Sequence, residues 1–227
     1  MNAWLNKLYE TFIETGYYTL MLEGLKNTLL ITLGALMIGV VIGTLIAVTK
    51  YFGEESTAFK PLVMLCDLYV TVIRGVPVVV LLLVFYIIIL TSANGVAVAI
   101  LTFGINSGAY MAELIRSGIN AVDKGQMEAA RSLGMSRLLS TRTIILPQAL
   151  RYILPAIGNE LIALLKETAV AGYVAVVDLT RAGNLIRNNT YDAVNPLMIV
   201  ALSYLAMVIF LTYVLKGFER RLNKDKH

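Results

Sequence analysis

Long apolar runs separated by short polar segments dominate the pattern of this chain. Residues 28–49 and 197–215 contain no charged residue, and residues 93–115 contain only Glu113. Each run has about the 20 apolar residues that a helix needs to cross a bilayer. Two further runs have this length but include charges or prolines, namely residues 61–90 and 152–177. The pattern therefore predicts an all-α integral membrane protein with about five transmembrane helices.

The composition agrees with this pattern. Hydrophobic residues make up 58% of the 227 residues and charged residues only 15%, and the mean hydropathy is +0.74. A soluble domain of this size has too small a core to bury so much apolar surface. The single cysteine, Cys66, and the single histidine, His227, exclude a disulfide framework and a histidine-based metal or catalytic site. We therefore expect neither metal-binding nor catalytic residues.

The lysines and arginines are distributed unevenly over the predicted topology. Four of the 19 lie on one side of the five helices (Lys7, Lys26, Arg181 and Arg187), and Arg74 and Lys166 lie at membrane depth. Basic loops stay cytoplasmic, so we expect the N-terminus outside and the C-terminus inside. This topology accounts for the pI of 9.1, and we expect no nucleic-acid partner. The first 26 residues lack the basic and then apolar order of a secretory signal. The thirteen cytoplasmic residues are Lys50, Lys60, Arg116, Lys124, Arg131, Arg137, Arg142, Arg151, Lys216, Arg220, Arg221, Lys224 and Lys226.

A stripe of small residues follows one face of the first predicted helix. Ala35, Gly39, Gly43 and Ala47 recur every four residues, which lets another helix backbone approach closely. That helix belongs either to the same chain or to a second subunit. A second subunit would also help to enclose a polar pathway, for which five helices are few.

The longest polar interruption, residues 117–150, is predicted to lie in the cytoplasm. Loops of this length usually carry function or their own structure. After a break at Gly125, the next eight residues are mostly good helix formers, and Gly134 supplies a helix end where a positive φ costs little. A second helical stretch, residues 136–146, is expected to stop at Pro147.

The first of these short helices has a mixed surface. Met127, Ala130 and Leu133 are expected to share one face, while Glu128 and Arg131 point elsewhere. A helix of two turns is unstable alone in water. It gains stability either by docking in a groove of another protein or by resting on lipid head groups.

The sequence of this segment resembles the EAA loop of ATP-binding-cassette importer permeases. Glu128, Ala129 and Ala130 are followed by Gly134 and later by Ile-Leu-Pro ending at Pro147. The order of GQMEAARSLGM and IILPQALRYILPAIGNELIALLKET is similar to the polar amino-acid uptake branch of these permeases. Three other stretches agree with this resemblance: GLKNTLLIT, YVTVIRGVPVVVLLLVFY and SGAYMAELIRSGI.

The resemblance implies the fold of a type I ABC importer permease, as one transmembrane domain over residues 24–221. Residues 1–23 then form an external segment and residues 222–227 a cytoplasmic tail. The loop of about residues 117–150 carries a coupling helix, which this family seats in a cleft of its ATPase subunit. The coupling residues that the resemblance implies are Glu128, Ala129, Ala130, Leu133, Gly134 and Met135.

The resemblance also implies an assembly in the prokaryotic plasma (inner) membrane, in contact with lipid. Its parts are two ATPase subunits that hold ATP and Mg, a second permease subunit that is identical or related, and an external amino-acid-binding protein. This chain lacks the Walker A pattern G-x-x-x-x-G-K-[ST]. We therefore expect that it binds no cofactor and is not an enzyme. Its expected role is to gate the pathway in response to movement of the ATPase subunits.

Ionisable residues at membrane depth are costly and point to functional sites by default. Glu160 can accept the ammonium group or the cationic side chain of an amino acid, or pair with Lys166 or a helix of the partner. Arg74 can bind a carboxylate, or pair with Asp67 or Glu167. The expected substrate pathway comprises Glu160, Asn106, Tyr110, Ser107, Arg74, Asn159, Lys166 and Glu167.

Two further groups of polar residues have alternative roles. Asn106 and Tyr110 lie one turn apart on one helix face, where they either line a polar cavity or hydrogen-bond to another helix. A set of predicted external residues either meets the binding protein or forms a solvated face: Asp178, Arg181, Arg187 and Asp192.

These observations favour a permease that passes a polar or basic amino acid across the membrane by alternating access coupled to a separate ATPase. Glutamine, glutamate and cystine are alternative substrates. A channel or a secondary transporter is the alternative class, although the internal repeats common in secondary transporters are not visible in this sequence.

Overall fold

The computed structural model describes residues 8–53 and 57–224, and all regular structure in these ranges is helical. The predicted all-α class is confirmed. The nine α-helices of the described ranges are α1 (Tyr17–Gly53), α2 (Lys60–Gly75), α3 (Val78–Val84), α4 (Gly95–Asn120), α5 (Lys124–Ser132), α6 (Arg137–Ser140), α7 (Leu146–Glu167), α8 (Leu179–Thr190) and α9 (Asn195–Lys224). Part of the predicted external segment, residues 1–7, and the end of the predicted tail, residues 225–227, lie outside the described residues.

Five shorter helical segments lie in the same described ranges. Three are π-helical (Glu10–Glu14, Phe85–Ile89 and Thr141–Ile145) and two are 3-10 helices (Thr57–Phe59 and Thr168–Val174).

Among the described residues, three helices are long and apolar enough to cross a membrane: α1, α4 and α9. A fourth span results if the segments Thr57–Gly75 and Val78–Ile89, bent by 104°, count as one. The bend lies at Pro77, which lacks a backbone N–H and disfavours helical geometry in the residue before it. Helix α7, predicted as the fifth span, is interrupted by several charges. The number of five spans and the orientation therefore stay predictions.

The chain divides into two compact units, of which the first includes Val76–Gly104 and Ile162–Leu211 together with the described residues up to Leu36. Its larger core is built around Ile31, Leu82 and Phe103, which are fully buried. A second core of this unit gathers apolar residues from α1, α8 and α9 with one from the Glu10–Glu14 segment: Phe12, Met21, Leu179, Ala182, Ile186 and Val200.

The second unit comprises Met37–Gly75, Ile105–Leu161 and the chain from Thr212 onward. One of its cores joins Ala47 of α1 to Ile115 of α4 and Ile153 of α7. A smaller core joins Val70 of α2 to Ala109 and Ala112 of α4.

The small-residue stripe of α1 packs within the chain. A Cβ added at Gly39 would lie 2.8 Å from Ser107 Oγ, and one at Gly43 would lie 2.3 Å from the Cβ of Met111. Helix α4 therefore covers this part of the stripe. Of the two expected partners for these glycines, the structure shows a helix of the same chain.

The segment of residues 117–150 follows its prediction at one glycine and departs from it at two positions. Gly134 has a φ of +83° and ends the first helix, as expected. Helix α5 begins before Gly125 because Asp123 caps it, accepting a hydrogen bond from the N–H of Gly125 at 2.6 Å. Pro147 does not stop the second stretch, because it lies in the first turn of α7, directly after a π-helical turn. Proline is tolerated in a first turn, where its missing N–H matters little.

We expect that Gly43→Ala weakens the packing of α1 against α4. The new Cβ would overlap Met111 and approach the backbone N of Ala112 at 2.8 Å, and overpacking of this kind costs about 1–3 kcal/mol. The measurement is the thermal unfolding midpoint of the purified permease in detergent. Gly217→Ala is the control, since its Cβ would meet nothing within 4 Å. Equal midpoints for the two variants would contradict the packing argument.

Candidate functional site

Helix α5 presents two different surfaces. Ala130 is 2% exposed and Met127 packs against the core that contains Ala47, whereas Glu128 and Ala129 are exposed to solvent. The buried side anchors the helix to its own chain. The exposed side is available to another molecule.

Leu133 does not share the buried face of Met127 and Ala130, so that part of the prediction is wrong. The helix ends at Ser132, and Leu133 is 83% exposed just beyond it. The turn at Gly134 follows, in which the N–H of Met135 donates to the carbonyl of Ala130 at 3.2 Å. This arrangement satisfies a carbonyl that the helix end would otherwise leave unpaired. Leu133 thus extends the exposed surface of this segment.

A contact between α6 and the end of α1 escapes the sequence analysis. The guanidinium of Arg137 donates from Nη2 to the carbonyl oxygen of Tyr51 at 2.7 Å. It also lies over the rings of Tyr51 and Phe52, with its central carbon 4.8 and 5.6 Å from their centroids. No pattern in the sequence relates these residues, because only the tertiary fold brings positions so far apart in the chain together.

Two of the predicted pathway residues meet in the second unit. Ser107 of α4 donates a hydrogen bond from Oγ to Oε1 of Glu160 in α7, at 3.1 Å. Ser107 is fully buried and Glu160 is partly buried. The close approach of α1 at Gly39 shields the serine. A carboxylate held in this way keeps a second oxygen for a cationic group.

Arg74 lies near this pair and does not form the salt bridge with Asp67 that was one of its expected roles. Its guanidinium carbon is 5.0 Å from the centroid of the Tyr110 ring, a cation–π contact. Its positive charge acts on the carboxylate of Glu160. Asp67 is paired with Lys50 instead.

The remaining predicted pathway residues differ in their exposure. Asn106 is 3% exposed on α4, and Asn159 is exposed beside Glu160 on α7. Lys166 is exposed and Glu167 is partly buried, and both belong to the first unit. The structure therefore brings Glu160, Ser107, Arg74 and Tyr110 close together within the second unit.

A network of four charged residues joins α1, α2 and α4 and was also missed. Lys50 Nζ lies 2.7 Å from Oδ1 of Asp67 and 3.3 Å from Oε1 of Glu113. The other oxygen of Glu113 is 2.8 Å from Nη2 of Arg116. The sequence shows that Glu113 and Arg116 are three residues apart on a helix, a spacing at which side chains can pair. It does not show that Lys50 lies beside them. Its side chain is only 10% exposed, so its charge depends on these partners.

Two of the predicted external aspartates are buried and accept hydrogen bonds from backbone N–H groups, so the solvated-face alternative is wrong for them. Asp178 accepts hydrogen bonds from the N–H groups of Thr180 and Arg181 at the start of α8. Burial raises the pKa of the Asp178 carboxyl above its ordinary value, and these N–H groups oppose the shift. Asp192 accepts from the N–H groups of Val194 and Asn195, at 3.1 and 3.2 Å, in the turn that leads into α9.

A surface cavity of about 640 Å³ lies beside α8 in the first unit. Arg181, Asn184 and Asn188 line one side of it, and Arg181 also donates to the carbonyl of Gly172 at 2.9 Å. Within the described ranges, no group of three or more His, Cys, Asp and Glu residues is arranged to hold a metal ion.

Comparison with known proteins identifies the family. The family model of the binding-protein-dependent transport system inner membrane component matches residues 39–224. The chain belongs to this family. It is therefore a multi-pass membrane protein, and the predicted resemblance to permeases of ATP-binding-cassette amino-acid importers is confirmed.

Individual relatives cover nearly the whole permease. It is 36% identical over 208 residues to the arginine transport system permease protein ArtQ of Bacillus subtilis (strain 168), covering 90% of this chain and 93% of that protein. It is also 36% identical over 208 residues to the glutamine transport system permease protein GlnP of Escherichia coli (strain K12), covering 89% and 93%. A crystal structure of an amino acid ABC transporter with histidines matches with a TM-score of 0.84 and 41% identity, over 92% of this chain and 96% of that one.

We expect that Lys50→Met destabilises the permease by roughly 1–3 kcal/mol. Removing one partner of a buried ion pair costs more than that, but Asp67 is half exposed and water screens its charge. The measurement is the thermal unfolding midpoint in detergent. Lys60→Met is the control, because Lys60 is exposed at the start of α2. A midpoint for Lys50→Met no lower than that of the control would contradict a stabilising role of the network.

Proposed function

We propose that this chain is a permease subunit of an ATP-driven amino-acid importer in a prokaryotic inner membrane. It passes its substrate inward by alternating access. The energy comes from two ATPase subunits that bind ATP and Mg, and a second permease subunit, identical or related, completes the pathway. An external amino-acid-binding protein delivers the substrate. The chain itself carries out no reaction.

The observation that carries this proposal is the Ser107–Glu160 hydrogen bond inside the second unit. Placing a carboxylate at membrane depth costs free energy, so such a group is by default a candidate for a functional contact. An amino acid offers it an ammonium group, and Arg74 nearby offers a guanidinium to the substrate carboxylate. Asn106 and Tyr110 on the same helix supply further polar groups. The site is thus suited to a zwitterion.

The substrate that this site favours is a basic amino acid. Glu160 has one oxygen bonded to Ser107 and another to offer to a cationic side chain, and a relative is named for arginine transport. Glutamine is the second candidate, which the name of the Escherichia coli relative supports. Glutamate and cystine are further alternatives within the same machinery.

Coupling to the ATPase is assigned to the exposed surface of α5 and its turn. Glu128, Ala129 and Leu133 present side chains to solvent, and Gly134 sets the direction of the chain. Met135 lies partly exposed after this turn. Ala130 contributes to coupling indirectly, because its buried side chain anchors α5 to the rest of the permease.

We expect that Glu160→Gln lowers uptake of a cationic amino acid by about tenfold or more, since a charge-assisted hydrogen bond contributes about 1.5–3 kcal/mol. Uptake of a neutral amino acid should fall less. The measurement is ATP-driven uptake of all twenty amino acids into vesicles that contain the complete complex and binding protein. Glu219→Gln on α9 is the control. Uptake by Glu160→Gln equal to that of the control would contradict substrate contact at this carboxylate.

We expect that Gly134→Asp weakens assembly with the ATPase or uncouples ATP hydrolysis from uptake. The φ of +83° is unfavourable for any residue with a side chain, by about 1–2 kcal/mol, so the turn would shift and α5 with it. Co-purification of the ATPase and ATP hydrolysed per amino acid imported are the two measurements. Gly217→Asp adds the same charge to α9, where space is open. Normal assembly and uptake in Gly134→Asp would contradict the assignment.

A further inference from the structure

Arg137 completes the inner end of α1. The carbonyl of Tyr51 is one of the last four of this helix, which have no donor within the helix itself. Arg137 supplies the missing donor at 2.7 Å. Its positive charge also lies at the helix end where the dipole is negative. The residue therefore caps a helix that ended more than 80 residues earlier in the chain.

The contact is made through three chemical groups rather than one. Besides the carbonyl, the guanidinium lies over the rings of Tyr51 and Phe52, which meet edge to face with centroids 5.0 Å apart. The hydroxyl of Tyr51 is in turn 3.3 Å from Oγ1 of Thr141, directly after α6. A planar guanidinium can stack on rings and donate sideways at once, which a lysine ammonium cannot.

The position of this contact relates it to coupling. Helix α6 follows α5 after the turn at Gly134, so Arg137 lies three residues beyond that turn. Helix α5 itself rests through Met127 on the core that contains Ala47 of α1. Helix α1 has 37 residues, about 55 Å at 1.5 Å per residue. A displacement of its inner end is therefore carried far along the helix.

We propose that Arg137 is a positioning residue that ties the cytoplasmic coupling segment to α1, so that α6 and the inner end of α1 move as one body when the ATPase subunits close. The proposal rests on the coupling role given to α5 above. It adds that the apolar contact of α5 is not enough to move α1 with the coupling segment. The polar contact at Arg137 transmits this motion to α1. If Arg137 only stabilised α1, replacing it would lower the amount of folded complex. It would not change the number of molecules imported per ATP hydrolysed.

The first test compares Arg137→Ala with Arg142→Ala. Arg142 lies exposed on the adjoining π-helical turn and makes no hydrogen bond or ion pair in the described part of the chain. We expect Arg137→Ala to lower uptake by about tenfold at equal complex content and nearly unchanged ATP hydrolysis, so that more ATP is spent per molecule imported. Arg142→Ala should behave as the wild type. Parallel loss of complex, hydrolysis and uptake would overturn the proposal.

A second set of variants assigns the effect to the contact itself. Arg137→Lys keeps the charge but loses the stacking plane, so it should resemble Arg137→Ala more than the wild type. Replacing Tyr51 and Phe52 together by leucine removes the rings and leaves the carbonyl. If the rings and the arginine act as one unit, combining these changes with Arg137→Ala adds little further loss. Fully additive losses would overturn the proposal.

The third test measures the motion directly and needs no transported solute. Spin labels are placed at cysteines that replace Val48 of α1 and Leu138 of α6, both exposed, in a Cys66→Ala background. In complex with the ATPase, the label distance should be the same without nucleotide and with ATP. Arg137→Ala should make it depend on ATP. A distance that already changes without the substitution, or that stays fixed with it, would overturn the proposal even if the substrate assignment fails.

Discussion

The close contact of α1 with α4 at Gly39 and Gly43 is the constraint on which the second unit depends. Neither glycine leaves room for a side chain, because Ser107 and Met111 fill that space. In a lipid environment, where apolar surface alone gives helices little reason to associate, such backbone approach and the polar contacts it permits hold them together. The same face of α1 continues to Lys50, whose partners on α2 and α4 extend the contact.

Several buried polar groups of this permease have partners inside the protein, and these partners differ in how fully they engage each group. Lys50 has two carboxylate partners within 4 Å, and Asp178 has the N–H groups of a helix end. These charged groups therefore serve contacts within the fold. Glu160 has one oxygen engaged by Ser107, which orients the carboxylate without neutralising it. That difference is the reason for proposing Glu160 as a contact for a cationic group.

The segment around α5 combines an exposed surface with a buried side that packs against the rest of the chain. Glu128, Ala129 and Leu133 face solvent, while Ala130 is buried against the rest of the chain. A short helix gains its stability from such contacts and not from its own hydrogen bonds. Arg137 then connects the segment to α1 through a backbone carbonyl. The coupling role proposed above needs both features.

The sequence by itself determined the helical class, the apolar runs, the turn at Gly134 and the family resemblance, since these depend on local composition, spacing and short-range geometry. It also placed Ser107 and Glu160 among the pathway residues, because buried polar groups stand out in apolar runs. Only the tertiary structure decided that Asp67 pairs with Lys50 and not with Arg74, that Leu133 leaves the face of Ala130, and that Arg137 reaches Tyr51. Long side chains have many possible partners at membrane depth, and the packing of distant helices selects one of them.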